Sequence, residues 1–106
     1  MRKPVIKSAQ AECDIDDQAF YIAEDNLEAS DRYLVAVHRA IQSLGSPLQQ
    51  GMLCKINEPK LKGLRKLAVP GFRNYLIFFI ETKDYVTVIR VLHGARDLPN
   101  VLKEEN

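Results

Sequence analysis

Two arginines, a histidine and an aspartate crowd the end of the stretch Tyr85 to Leu98, which reads YVTVIRVLHGARDL. A β-branched run there leads without a break into Arg90, His93, Gly94, Arg96 and Asp97. A strand that only had to pack would end in ordinary turn residues. A guanidinium offers a rigid donor fork suited to carboxylate or phosphate, and an imidazole changes charge near neutral pH. These residue types suit recognition of a polyanion, or acid–base cleavage of RNA with cations holding the charge that develops on the phosphorane. A purely structural reading stands beside both, in which Arg90, Arg96 and Asp97 form an internal ion-pair lock.

Arg65 and Arg73 extend the cationic set along neighbouring strands. Strand alternation places Arg65 with Leu67 and Val69, and Arg90 with Val88 and Leu92, while His93 has the opposite parity from Arg90. Only an early strand end at Gly94 would bring that imidazole round to Arg90. His93 is the one credible general acid or base, because His38 falls in the middle of a helical pattern. The other classes fail on inventory. There is no Cys/His metal spacing, no phosphate-cradling glycine loop and no serine with triad partners, so neither metal nor cofactor is expected. Cys13 and Cys54 read as a helix-face residue and a loop residue, with nothing beside them to activate a thiol.

The net charge of +1 conceals sorting along the chain. Between Ala11 and Asp31 stand eight acids (Glu12, Asp14, Asp16, Asp17, Glu24, Asp25, Glu28 and Asp31) and no Lys or Arg. Between Lys55 and Arg73 come Lys55, Lys60, Lys62, Arg65, Lys66 and Arg73, opposed only by Glu58. Separated surfaces of opposite sign steer different partners to different sides. With 106 residues and 46% apolar content the whole chain reads as one domain around one core. Two cysteines are too few for a disulfide framework, which points to a reducing cytoplasm. The longest apolar run, Tyr75 to Ile80, is far short of the roughly 20 residues that span a bilayer, so no membrane association is expected.

The elements that would position these groups follow from periodicity. Val5 to Ser8 reads as a strand, and Ala11, Ile15, Ala19, Ile22 and Ala23 give helical spacing from Ala9 to Asn26. Asn26 suits a left-handed stop, and Asp25 with Glu28 has capping-box spacing for a second helix. That helix carries Ala29, Tyr33, Val37, Ala40, Ile41 and Leu44 until Gly45-Ser46-Pro47 breaks it. The short joint implies an antiparallel helical hairpin. Residues 48 to 63 read mainly as loop. Leu64 to Val69 and Phe72 to Glu81 are strands about a type II turn at Pro70-Gly71, and Tyr85 to Leu92 is the fourth strand. Asp97 would cap a last short helix with Pro99 in its first turn. The predicted class is α+β, a helical hairpin on one face of a mainly antiparallel four-stranded sheet in the order β-α-α-β-β-β-(α), with the other face left open.

Three segments in order carry a family resemblance: Tyr21-Ile22-Ala23-Glu24-Asp25-Asn26 with Glu28-Ala29; Leu64-Arg65-Lys66-Leu67 with Phe72-Arg73-Asn74-Tyr75-Leu76-Ile77-Phe78; and Arg90-Val91-Leu92-His93-Gly94-Ala95-Arg96-Asp97. On these the chain resembles the ParE-type toxins of the RelE/ParE toxin–antitoxin superfamily. Leu27, where that family often has proline, is a departure confined to a helix start. The resemblance implies a RelE/ParE-like fold and a toxin that is not itself an enzyme. Such a toxin inhibits DNA gyrase, stabilises its complex with cleaved DNA, and is silenced by a ParD-like antitoxin in a hetero-oligomeric complex.

Relatives that cut messenger RNA on the ribosome carry a basic strand constellation, which Arg65 and Arg90 resemble, plus a terminal tyrosine or histidine that the tail Leu102 to Asn106 lacks. Gyrase inhibition is therefore the preferred reading. RelE-like ribosome-dependent cleavage by His93 with Arg65 and Arg90 is the alternative. Arg65, Arg73, Arg90, His93 and Arg96 are the candidate contacts to gyrase or nucleic acid, and Tyr21, Tyr33, Val37 and Phe78 the candidates for binding antitoxin.

Overall fold

A computed structural model of the chain describes residues 2–95. Ser8 opens the first helix by accepting a hydrogen bond at its hydroxyl from the Ala11 amide at 3.0 Å, just after strand β1 (Val5–Lys7). Helix α1 (Ala9–Asp25) and helix α2 (Leu27–Ser43) then fold back on one another through a single residue. Asn26 is extended, with φ of −157°, and not left-handed. Its backbone N–H donates to the Ile22 carbonyl at 2.9 Å and ends α1, while its side-chain oxygen accepts from the Ala29 amide at 3.0 Å and begins α2. One asparagine thus caps both helices, where the sequence had suggested an Asp25/Glu28 box.

Strands β2 (Met52–Leu53), β3 (Arg65–Val69), β4 (Phe72–Glu81) and β5 (Val86–His93) complete a five-stranded sheet in the order β1-β5-β4-β3-β2. The pair β1/β5 is parallel and the other three pairs are antiparallel. The class matches the expectation, but the strand count is five and not four. β2 lies inside the stretch read as loop, which also holds a short 3-10 turn at Pro59–Leu61. A two-residue strand has no period to read. Its position depends instead on Gly51, whose φ of +78° favours glycine, and on Arg65, which donates to the Gln50 and Gly51 carbonyls at 3.0 Å each. At Gly71 φ is +83°, as the type II turn between β3 and β4 requires.

Alternation along β4 explains why Tyr75 to Ile80 is apolar throughout. Tyr75, Ile77 and Phe79 face the helices, joining Tyr33 and Val37 of α2 and Ile15 of α1 in the main core. Phe78 points the other way, into a second cluster with Cys54, Leu64 and Leu92. The face expected to lie open is therefore partly covered by the segment between β2 and β3, and β4 carries buried side chains on both of its faces. The expected helix capped by Asp97 lies outside the described residues.

Candidate functional site

β1 pairs with β5 only as far as Val88, and beyond that point the outer edge of β5 needs other hydrogen-bond partners. Helix α1 and its N-cap Ser8 supply them. The Ser8 hydroxyl donates to the Ile89 carbonyl at 2.7 Å, the Val91 amide donates to the Asp14 carboxylate at 3.1 Å, and the Gln18 side chain donates to the Val91 carbonyl at 2.7 Å. Three polar side chains thus replace the missing length of strand. The pairing with β4 shifts register at this place, between Phe78/Arg90 and Phe79/Val88, so β5 carries a bulge at Ile89 and Arg90.

Arg90 closes this arrangement. Its Nε donates to one Asp14 oxygen at 2.7 Å and its Nη2 to the other at 3.0 Å, a two-bond fork. The Asp14 side chain is 8% exposed and that of Arg90 is 23% exposed. A carboxylate that deep is tolerated because it accepts from a backbone amide and is neutralised by the guanidinium. Arg90 is thus locked to Asp14 of the first helix, whereas the predicted lock of Arg90 with Arg96 and Asp97 falls on residues outside the described ones.

An aromatic chain continues inward from the same network. The Tyr33 hydroxyl donates to the Gln18 side-chain oxygen, and the Tyr33 ring packs against Tyr75 at 5.0 Å and Phe72 at 5.5 Å. Burial drives the Tyr33 phenol well above the usual tyrosine range, and nearby Tyr75 and Asp14 push the same way. Tyr75 in turn meets His93, its cross-strand partner, edge-on at 5.2 Å. His93 thus sits at the rim of the helix-side core.

The sheet keeps the proposed catalytic trio apart. Arg65 pairs across β4 with Phe79, which faces the helices, whereas Arg90 stands at the bulge of β5 opposite Phe78 with its guanidinium held by Asp14 of α1. His93 opposes Tyr75 on the helix side, so the strand runs through His93 without the early turn that would join it to Arg90. Arg65 is engaged through its Nε and Nη2 with the Gln50 and Gly51 carbonyls. Arg73 is exposed at the start of β4, and Lys55, Lys60 and Lys62 are exposed along the loop that covers the far face.

Of the antitoxin-contact candidates, Tyr21 is 59% exposed, while Tyr33, Val37 and Phe78 are fully buried and build the surfaces above them. Asp14, Gln18 and Ser8 escaped sequence reasoning. Their signal was present: positions 14 and 18 fall inside the buried stripe Ala11, Ile15, Ala19, and polar residues there must meet a buried partner. Seven of the eight acids remain exposed, Asp14 being the exception. Among the described residues no group of three or more His, Cys, Asp or Glu could hold a metal ion, and no helix is long and apolar enough to cross a membrane.

Comparison with known proteins agrees with this architecture. Among solved structures, the chain is similar to one titled the chromosomal ParDE TA system from P. aeruginosa, with a TM-score of 0.66 and 14% identity, covering 87% of this chain and 96% of that one. At that identity the likeness speaks for the fold. No match is found among curated proteins. The model of the family described as ParE toxin of type II toxin-antitoxin system, parDE, matches residues 5–98. Covering nearly the whole chain, that match means that the protein belongs to the family of ParE toxins of type II toxin–antitoxin systems.

Proposed function

We propose that this ParE-family chain inhibits DNA gyrase by stabilising the gyrase–cleaved DNA complex, and that a ParD-like antitoxin neutralises it by binding. The observation that carries the preference for gripping over cleaving is the Asp14–Arg90 fork. An RNA-cleaving site needs cations free to meet the charge that forms in the transition state, together with a general base and acid converging on one bond. Here Arg90 is already neutralised by a carboxylate, and Arg65 and His93 stand at separate places on the helix side of the sheet. Arg73 and the loop lysines are exposed and offer positive charge for the DNA backbone.

Incubation of the purified chain with gyrase and relaxed plasmid tests the target. Supercoiling should fall with increasing toxin and recover when a ParD-like antitoxin is added first. Unimpaired supercoiling, with loss of message only on translating ribosomes, would instead support the RelE-like reading.

A further inference from the structure

We infer that the closed end of the helical hairpin is the surface that docks on the protein part of the target, against a cationic apolar surface of the kind a DNA-handling enzyme presents. This rests on the gyrase reading above and adds to it the face used and the chemistry of the face it meets.

Phe20, Tyr21 and Leu27 fall within eight positions across the end of α1 and the start of α2, and they are 77%, 59% and 69% exposed. Large apolar side chains gathered on a rigid exposed element mark a contact surface. The element is rigid because Asn26 caps both helices and the Ser30 hydroxyl donates to the Ala19 carbonyl at 2.6 Å, pinning one helix to the other.

Charge decides what can sit there. Asp16, Asp17, Glu24, Asp25 and Glu28 are all exposed around the three apolar residues. The first cation after Ala11 is Arg32, and its guanidinium is paired with Glu28 at 3.3 Å. Such a field repels phosphates, so in a complex that contains DNA this end must face protein. An enzyme that binds duplex DNA is cationic around its DNA path, and Lys and Arg at the margin of that path supply the complementary sign without leaving the backbone. Apolar centre and charged rim then match the usual anatomy of a specific interface. The cationic residues Lys55, Lys60, Lys62 and Arg73, remote in sequence, are left for nucleic acid.

The test compares wild type with Phe20→Ser/Leu27→Ser and with Asp17→Lys/Glu24→Lys. Five readouts are taken: binding to DNA-free gyrase, inhibition of supercoiling, capture of a co-expressed ParD-like antitoxin, thermal unfolding and sedimentation. Both variants should bind and inhibit at least about tenfold more weakly with unchanged unfolding and sedimentation, and wild-type binding should weaken as salt rises. The inference is overturned if wild type inhibits and both variants match it. It is overturned equally if the variants change only self-association or only capture of a co-expressed ParD-like antitoxin. If wild type neither binds nor inhibits gyrase, the functional reading fails, and this inference fails with it.

Discussion

Asp14 and Arg90, 76 positions apart, are joined by two hydrogen bonds of 2.7 and 3.0 Å, so the first helix and the last described strand are held by one ion pair. Removing only the acid takes the carboxylate of the fork from a largely buried guanidinium. Asp14→Ala should therefore cost about 3 kcal/mol, the lower end for a broken buried pair because Arg90 keeps some solvent access. The double variant with Arg90→Ala should recover part of that loss, which urea unfolding of all four proteins would measure. A cost under about 0.5 kcal/mol, the range of ordinary surface changes, would refute the lock.

Tyr33 gives the fold a signature in alkali. Its phenol is raised by burial, so above pH 10 the unfolded chain gives up that proton while the folded chain keeps it. The unfolded state then binds fewer protons, and stability falls as pH rises, by at most about 1.4 kcal/mol per unit from this group. Below pH 10 the group contributes no slope. Tyr33→Phe should flatten that part of the curve and, at neutral pH, cost about 1 kcal/mol by leaving the Gln18 oxygen without its donor.

Gly51 should tolerate no side chain. A Cβ there would lie 2.8 Å from the Lys66 carbonyl oxygen and 2.9 Å from the Phe79 ring, at a backbone angle that favours glycine. Gly51→Ala is expected to destabilise by about 1–3 kcal/mol and to loosen β2, seen as faster amide exchange at Met52 and Leu53.

Arg73→Glu separates binding from folding. The residue is exposed, so unfolding should shift by no more than about 0.5 kcal/mol. If Arg73 meets phosphate in the gyrase–DNA complex, the salt dependence of inhibition should become shallower by about one unit of slope.

His93→Ala distinguishes the two modes of action. A gyrase inhibitor should keep its potency, since the imidazole packs on Tyr75 at the rim of the core. A ribosome-dependent nuclease relying on His93 should lose activity on the order of 10²-fold.

Much of this was legible in the sequence because it depends on local pattern. The two helices, the Pro70-Gly71 turn and the long strands follow from spacing that neighbouring residues fix. The parity that separates His93 from Arg90 followed as well. What escaped depends on contacts between distant segments. Asp14 looked like one more exposed acid because its partner lies 76 positions away. β2 was invisible because its two residues carry no period, and its place is set by Arg65 and Gly51. That Tyr33, Val37 and Phe78 are buried was not legible either, because apolar type alone cannot distinguish a core facing helices from a groove facing a partner.

The most direct measurement of the central claim traps the complex itself. Purified chain, gyrase and plasmid are incubated, then treated with detergent and protease, and linear DNA is quantified. Linear plasmid should accumulate with toxin dose and disappear when gyrase is omitted. Plasmid left intact at every dose, while the same protein cuts messages on translating ribosomes, would contradict the account.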